Sequence, residues 1–129
     1  MNTSVIDASA VLAYLFDESG AGVVAELLGA GNALISSVNY AEAASKLVDR
    51  KMPEETVKTT MDNLGLEVVP YDEPQALLTG LLRKSCRSYG LSLGDRACLA
   101  LAKTNDLPAM TADRVWKEIP LGLEVVLIR

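Results

Sequence analysis

Four carboxylates in this chain stand just past a strand pattern or near the start of a helical one. Asp7 follows residues 3–6, Glu42 lies near the start of the helical pattern behind residues 33–36, Asp95 closes residues 92–95, and Asp113 follows residues 108–111. Acids drawn into one pocket repel and raise each other's pKa unless a cation sits among them. The chain contains no histidine. That removes a Ser-His-Asp triad, a Cys-His pair, a histidine base and His-ligated zinc. An all-oxygen ligand set points instead to Mg²⁺ or Mn²⁺ rather than zinc or copper. The chemistry such a site suits is phosphodiester hydrolysis, with bound metal lowering the pKa of a water nucleophile and offsetting charge on the attacking and leaving oxygens.

Each acid also has a plainer reading. Asp7 or Ser9 can cap the next helix by accepting a free backbone N–H. Glu42 and Lys46 are an i, i+4 pair in the favoured orientation on what could be a solvated stripe. Ser92 and Asp95, three apart, form a capping box. What favours convergence is the order of elements. Short β-branched or apolar runs at residues 3–6, 33–36, 66–69, 108–111 and 123–128 alternate with helical spacings. These spacings run through Val11, Leu12, Leu15 and Phe16, then residues 23–28, then Ala44, Leu47 and Val48, and on through residues 53–64, 72–82 and 96–103. Such alternation predicts an α/β fold with a mostly parallel sheet. Right-handed crossovers then bring the carboxyl ends of the strands to one edge, where open α/β sheets place their active sites.

At 129 residues and half apolar, the chain is sized for one domain over residues 1–129. No basic start leads into an apolar stretch and no apolar run is long enough to cross a bilayer, so a soluble, cytoplasmic protein with no membrane partner is expected. Cys86 and Cys98 lack metal-ligand or pairing spacing and read as buried reduced thiols. The net charge of −5 argues against holding nucleic acid by bulk electrostatics and leaves that role to a local basic patch or a bound cation. Arg83, Lys84 and Arg87 most simply complement a helix C-terminus, with RNA contact the alternative.

Taken together, Val5-Ile6-Asp7-Ala8-Ser9-Ala10, Asn39-Tyr40-Ala41-Glu42, Leu93-Gly94-Asp95-Arg96 and Thr111-Ala112-Asp113-Arg114-x-Trp116 resemble the PIN-domain nucleases, specifically VapC-type toxins of toxin–antitoxin pairs. The motifs span essentially the whole chain. Each is weak alone; four in this order and spacing are specific. The resemblance implies a three-layer α/β/α PIN-like fold, Mg²⁺- or Mn²⁺-dependent endoribonuclease activity on tRNA or another structured RNA, a homodimer, and a cognate antitoxin protein that covers the site. Carried over by position, it implies catalysis and metal binding by Asp7, Glu42, Asp95 and Asp113, with Ser9, Asn39 and Thr111 orienting these carboxylates or a metal-bound water. Arg96, Arg114 and Lys117 adjoin the acids in sequence and are expected either to contact substrate phosphates or to form plain salt bridges. An aspartyl-phosphate enzyme built on Asp7 would want a second acid two residues on, where this chain has Ser9. The competing non-enzymatic reading is a catalytically silent PIN-like module that binds RNA or protein.

Overall fold

A computed structural model describes residues 2–129. Five strands, β1 (Ser4–Ile6), β2 (Ala33–Ser36), β3 (Glu67–Val69), β4 (Ala109–Thr111) and β5 (Val125–Leu127), form one sheet in the order β3-β2-β1-β4-β5. Every pairing is parallel, so the mostly parallel sheet expected from sequence is wholly parallel among the described residues. The chain begins in the middle of the sheet, winds outward through β2 to β3, then crosses to β4 and β5. The reversal of direction lies beside β1, and a reversal of this kind opens a crevice at the carboxyl edge of a parallel sheet.

Period-two alternation sorts the strand residues between two cores. Ile6, Ile35, Met110 and Ile128 face one side, packed under α1 (Ala8–Leu15), α2 (Ala21–Gly29), α3 (Ser37–Asp49) and α4 (Glu54–Asp62). Val5, Ala109 and Val125 face the other, under α5 (Glu73–Leu81), α6 (Arg83–Cys86) and α7 (Leu93–Thr104), with Trp116 completing that core. Helices on both faces of one sheet make the three-layer α/β/α arrangement. The unbroken apolar run at the end of the chain is explained by this: β5 is an edge strand, yet Val125 meets one core and Val126 the other.

Local signals set most boundaries. Asp72 caps α5 by accepting from the Gln75 N–H at 3.0 Å. The capping box at Ser92 is formed in both directions, 3.1 Å from Asp95 N to Ser92 Oγ and 2.9 Å from Ser92 N to the Asp95 carboxylate. It starts α7 at Leu93, a turn before the apolar spacing alone indicates, because the cap rather than the buried stripe sets where the helix begins. The basic cluster after α5 does not prolong that helix: Arg83 and Lys84 lie on the separate turn α6, and Arg87 opens the 3₁₀ turn Arg87–Tyr89.

Gly20, at φ +95°, caps α2 where a Cβ would stand 2.6 Å from the Ile128 carbonyl oxygen. Gly20→Ala is therefore expected to cost about 2–4 kcal/mol, from the left-handed backbone and from a clash with a main-chain atom that cannot move freely. A fall in the urea midpoint with an unchanged m-value would show it; an unchanged midpoint would refute it.

Candidate active site

Asp7 follows β1 and is 4% exposed. It caps α1, accepting from the Ala10 N–H at 2.9 Å. The Ser9 hydroxyl donates to the same carboxylate at 2.8 Å, and Thr111, from the end of β4, donates to Oδ2 at 2.6 Å. A carboxylate has about four lone-pair positions, so three donors fix its orientation and leave room for one further ligand. The capping reading and the site reading of Asp7 are thus both true of one side chain. Burial pushes its pKa from 3.8 up to about 6, against the lowering by these hydrogen bonds; the Asp95 charge pushes it up further.

Glu42 lies on α3, one turn beyond Asn39, whose Nδ2 donates both to Glu42 Oε1 at 2.9 Å and to the Gly94 carbonyl of α7 at 3.0 Å. Asn39, 1% exposed, so joins the starts of two helices and holds the carboxylate between them. Both partners of Nδ2 are acceptors, which fixes the amide orientation and leaves the buried Oδ1 without a partner. Burial raises the pKa of Glu42, and Asp95 adds to the effect. Asp95 shares its carboxylate between the Ser92 cap and a recess of about 210 Å³ that Asp7, Ser9, Asn39, Glu42 and Lys46 also line.

Three of the four expected acids, with Ser9 and Asn39, are therefore gathered at the carboxyl edge of the sheet. Asp113 does not line that recess. It is exposed, and its carboxylate accepts from the Val115 N–H at 3.1 Å, capping the 3₁₀ turn Arg114–Glu118. It stays tied to the site through its own N–H, which donates to Thr111 Oγ1 at 3.0 Å.

The expected cations are placed differently. The Arg96 guanidinium is buried against α5, where it donates to the Thr79 carbonyl at 2.9 Å and leaves Nε unpartnered, so it is turned away from the recess and among the described residues forms no salt bridge. Because Asp95 faces the recess, its successor on the helix is turned about a hundred degrees toward the opposite core. Arg114 donates to the Arg129 carbonyl at 2.9 Å, and Lys117 lines a separate recess beside Trp116 and Ile119. Among the described residues the cation at the acids is Lys46, whose charge lowers the pKa of Glu42. The i, i+4 spacing that pairs Lys46 with Glu42 also places it beside the acids. Gly94 joins the site as well, for an added Cβ there would lie 2.6 Å from Glu42 Cδ. A glycine inside the first turn of a helix, beside a candidate acid, was the available signal. Cys86 and Cys98 are free and buried; burial and the nearby acids hold the Cys98 thiol protonated, so it adds no nucleophile.

The donor set fits a hard divalent cation: all oxygen, more negative than Lys46 can balance, and flanked by an unpartnered amide oxygen. Among the described residues no three acidic side chains stand close enough to hold an ion directly. This still accommodates Mg²⁺, which commonly keeps several waters and takes only one or two carboxylates.

The PIN domain family model matches residues 4–121. The chain is 32% identical to the VapC ribonuclease Mb2780c of Mycobacterium bovis, covering 82% of this chain and 87% of that protein, and equally to the ribonuclease VapC42 of Mycobacterium tuberculosis. In fold it is similar to a DNA-bound VapBC complex from Salmonella typhimurium, with a TM-score of 0.76 at 20% identity over the full length of both chains. A toxin-antitoxin complex from Klebsiella pneumoniae gives a TM-score of 0.74 at 18% identity over 98% of each chain.

Proposed function

The chain belongs to the PIN-domain family, and from that premise we propose that it is a metal-dependent endoribonuclease, the toxin of a toxin–antitoxin pair. The observation that carries this is the meeting of Asp7, Glu42 and Asp95, from three different elements, around one small recess with a single lysine. The VapC ribonucleases it resembles over most of their length support RNA as substrate, and the VapBC complexes of the same fold support an antitoxin partner. Cytoplasmic location follows from that substrate. Among the described residues no helix is long and apolar enough to cross a membrane.

Asp7, Glu42 and Asp95 would hold Mg²⁺ or Mn²⁺, directly or through its waters, with Asp113 outside the recess and joined to it through Thr111. The bound cation would supply acidity to a water nucleophile and charge stabilisation to the scissile phosphate. Ser9 and Thr111 keep the Asp7 carboxylate aimed into the recess. Asn39 fixes Glu42 between the starts of α3 and α7. Lys46 sets a positive charge where the anionic phosphodiester must approach the acids.

The test is cleavage of total cellular RNA and of tRNA by purified protein with Mg²⁺, with Mn²⁺ and with EDTA. Discrete fragments that need the metal are expected. Equal cutting in EDTA would remove the metal dependence, and no cutting under any condition from protein freed of antitoxin would move the chain to the silent binding-module reading.

A further inference from the structure

We propose that the acid recess continues into a cationic track along α3, with Lys46 and Arg50 taking successive phosphates of a single RNA strand; this rests on the nuclease reading above. A second hollow of about 450 Å³ opens beside the first and shares Ser9, Leu12 and Lys46 with it. Its far side carries Phe16, Arg50 and Arg129. Glu42 and Lys46 are four residues apart on α3 and Arg50, four further on, caps its carboxyl end, so each step along the face rises about 6 Å, close to the phosphate spacing of an extended strand.

The state of these side chains favours a phosphate ligand. Lys46 and Arg50 are exposed, and among the described residues neither has a carboxylate within ion-pair distance. Arg50 stacks on the Phe16 ring at 3.9 Å to its centroid. Stacking on an aromatic face presents the guanidinium edge outward with its N–H fork free, the geometry that grips a phosphate through two bonds. Arg129 is by contrast engaged, 3.3 Å from Glu18 and donating to the Ser19 carbonyl at 3.0 Å. The carboxylate left in the hollow is Asp49, fewer than the cations beside it. A chain carrying a net charge of −5 that must hold a polyanion needs such a local reversal of sign, and this groove supplies it next to the acids.

The test is anisotropy titration of a fluorescein-labelled single-stranded RNA dodecamer of mixed sequence, in the Asp7→Asn background, over a series of salt concentrations. Lys46→Gln and Arg50→Gln are each expected to make the log–log salt slope shallower by about 0.7, and the pair by about 1.4, with affinity down about tenfold in the double variant. Lys58→Gln, which removes a cation on α4 already paired with Glu54 and Glu55, should leave the slope unchanged. Unchanged slopes in the Lys46 and Arg50 variants, or no binding by the parent, overturn the track and leave the hollow to a protein partner. Cleavage by the wild type is read separately. Cutting with unchanged slopes removes the track and keeps the nuclease; shallower slopes without cutting remove the nuclease and keep the track.

Discussion

Asp7→Asn is expected to abolish RNA cleavage, by on the order of 10³-fold, while making the metal-free protein more stable above about pH 6. The activity loss follows from removing the most buried charge of the three-acid recess while keeping its shape. The stability gain follows from linkage. Asp7 titrates at 3.8 when unfolded and at about 6 when folded, because burial disfavours the carboxylate more than its three donors favour it. A raised acid pKa means the native state binds the proton more tightly. The wild type then loses stability as pH rises through this window, and the loss is complete above about pH 6, where it reaches about 3 kcal/mol. Asparagine carries no such penalty. It still accepts from the Ala10 N–H, and the Thr111 hydroxyl can turn to accept from the new amide.

Unfolding free energies of the two proteins from urea titration with EDTA should differ by about 1–3 kcal/mol at about pH 8 and converge at about pH 4. Added Mg²⁺ should raise the midpoint of the wild type and not of the variant, since a ligand stabilises only the state that binds it. A variant less stable than wild type at the higher pH would show that Asp7 is held mainly as a helix cap, and would remove the electrostatic account of the site.

The second large effect concerns Glu42, whose carboxylate can be displaced in two ways that differ in their structural cost. Asn39→Ala removes the amide that holds it and leaves the buried Gly94 carbonyl without its donor, so stability should fall by about 1–3 kcal/mol. Gly94→Ala puts a methyl group where the Glu42 carboxylate now rests, but only the mobile end of that side chain must move and alanine favours the helix. Its stability should be unchanged or up by about 0.5–1 kcal/mol. Both should lower cleavage by about 10–100-fold, the scale that follows from misplacing a reacting group by about an ångström. Opposite shifts in stability with a shared loss in kcat would identify Asn39 and Gly94 as positioning residues for Glu42. Full activity in Gly94→Ala would show that Glu42 acts from a different rotamer.

The sequence by itself determined the α/β class with its mostly parallel sheet, all five strands to within a few residues, the capping box at Ser92, and the two buried thiols. These rest on short-range physics: an apolar period and a hydroxyl or carboxylate meeting free N–H groups. It also determined the chemistry open to the site, since a chain without histidine must work through carboxylates. What it could not decide was which side chains enter the recess, because that depends on helix phase and on neighbours distant along the chain. Arg96 follows Asp95 directly yet turns to Thr79, seventeen residues earlier, whereas Lys46 stands beside the acids. Asp113 matches its motif yet caps its own turn, while Thr111, two residues before it, reaches across to Asp7. Gly94 acquires a role only when α3 packs against the start of α7 and Glu42 fills the space a Cβ would take. Parallel-sheet topology brings the acids to one edge; only the packed tertiary structure sets which of them face each other and which cation accompanies them.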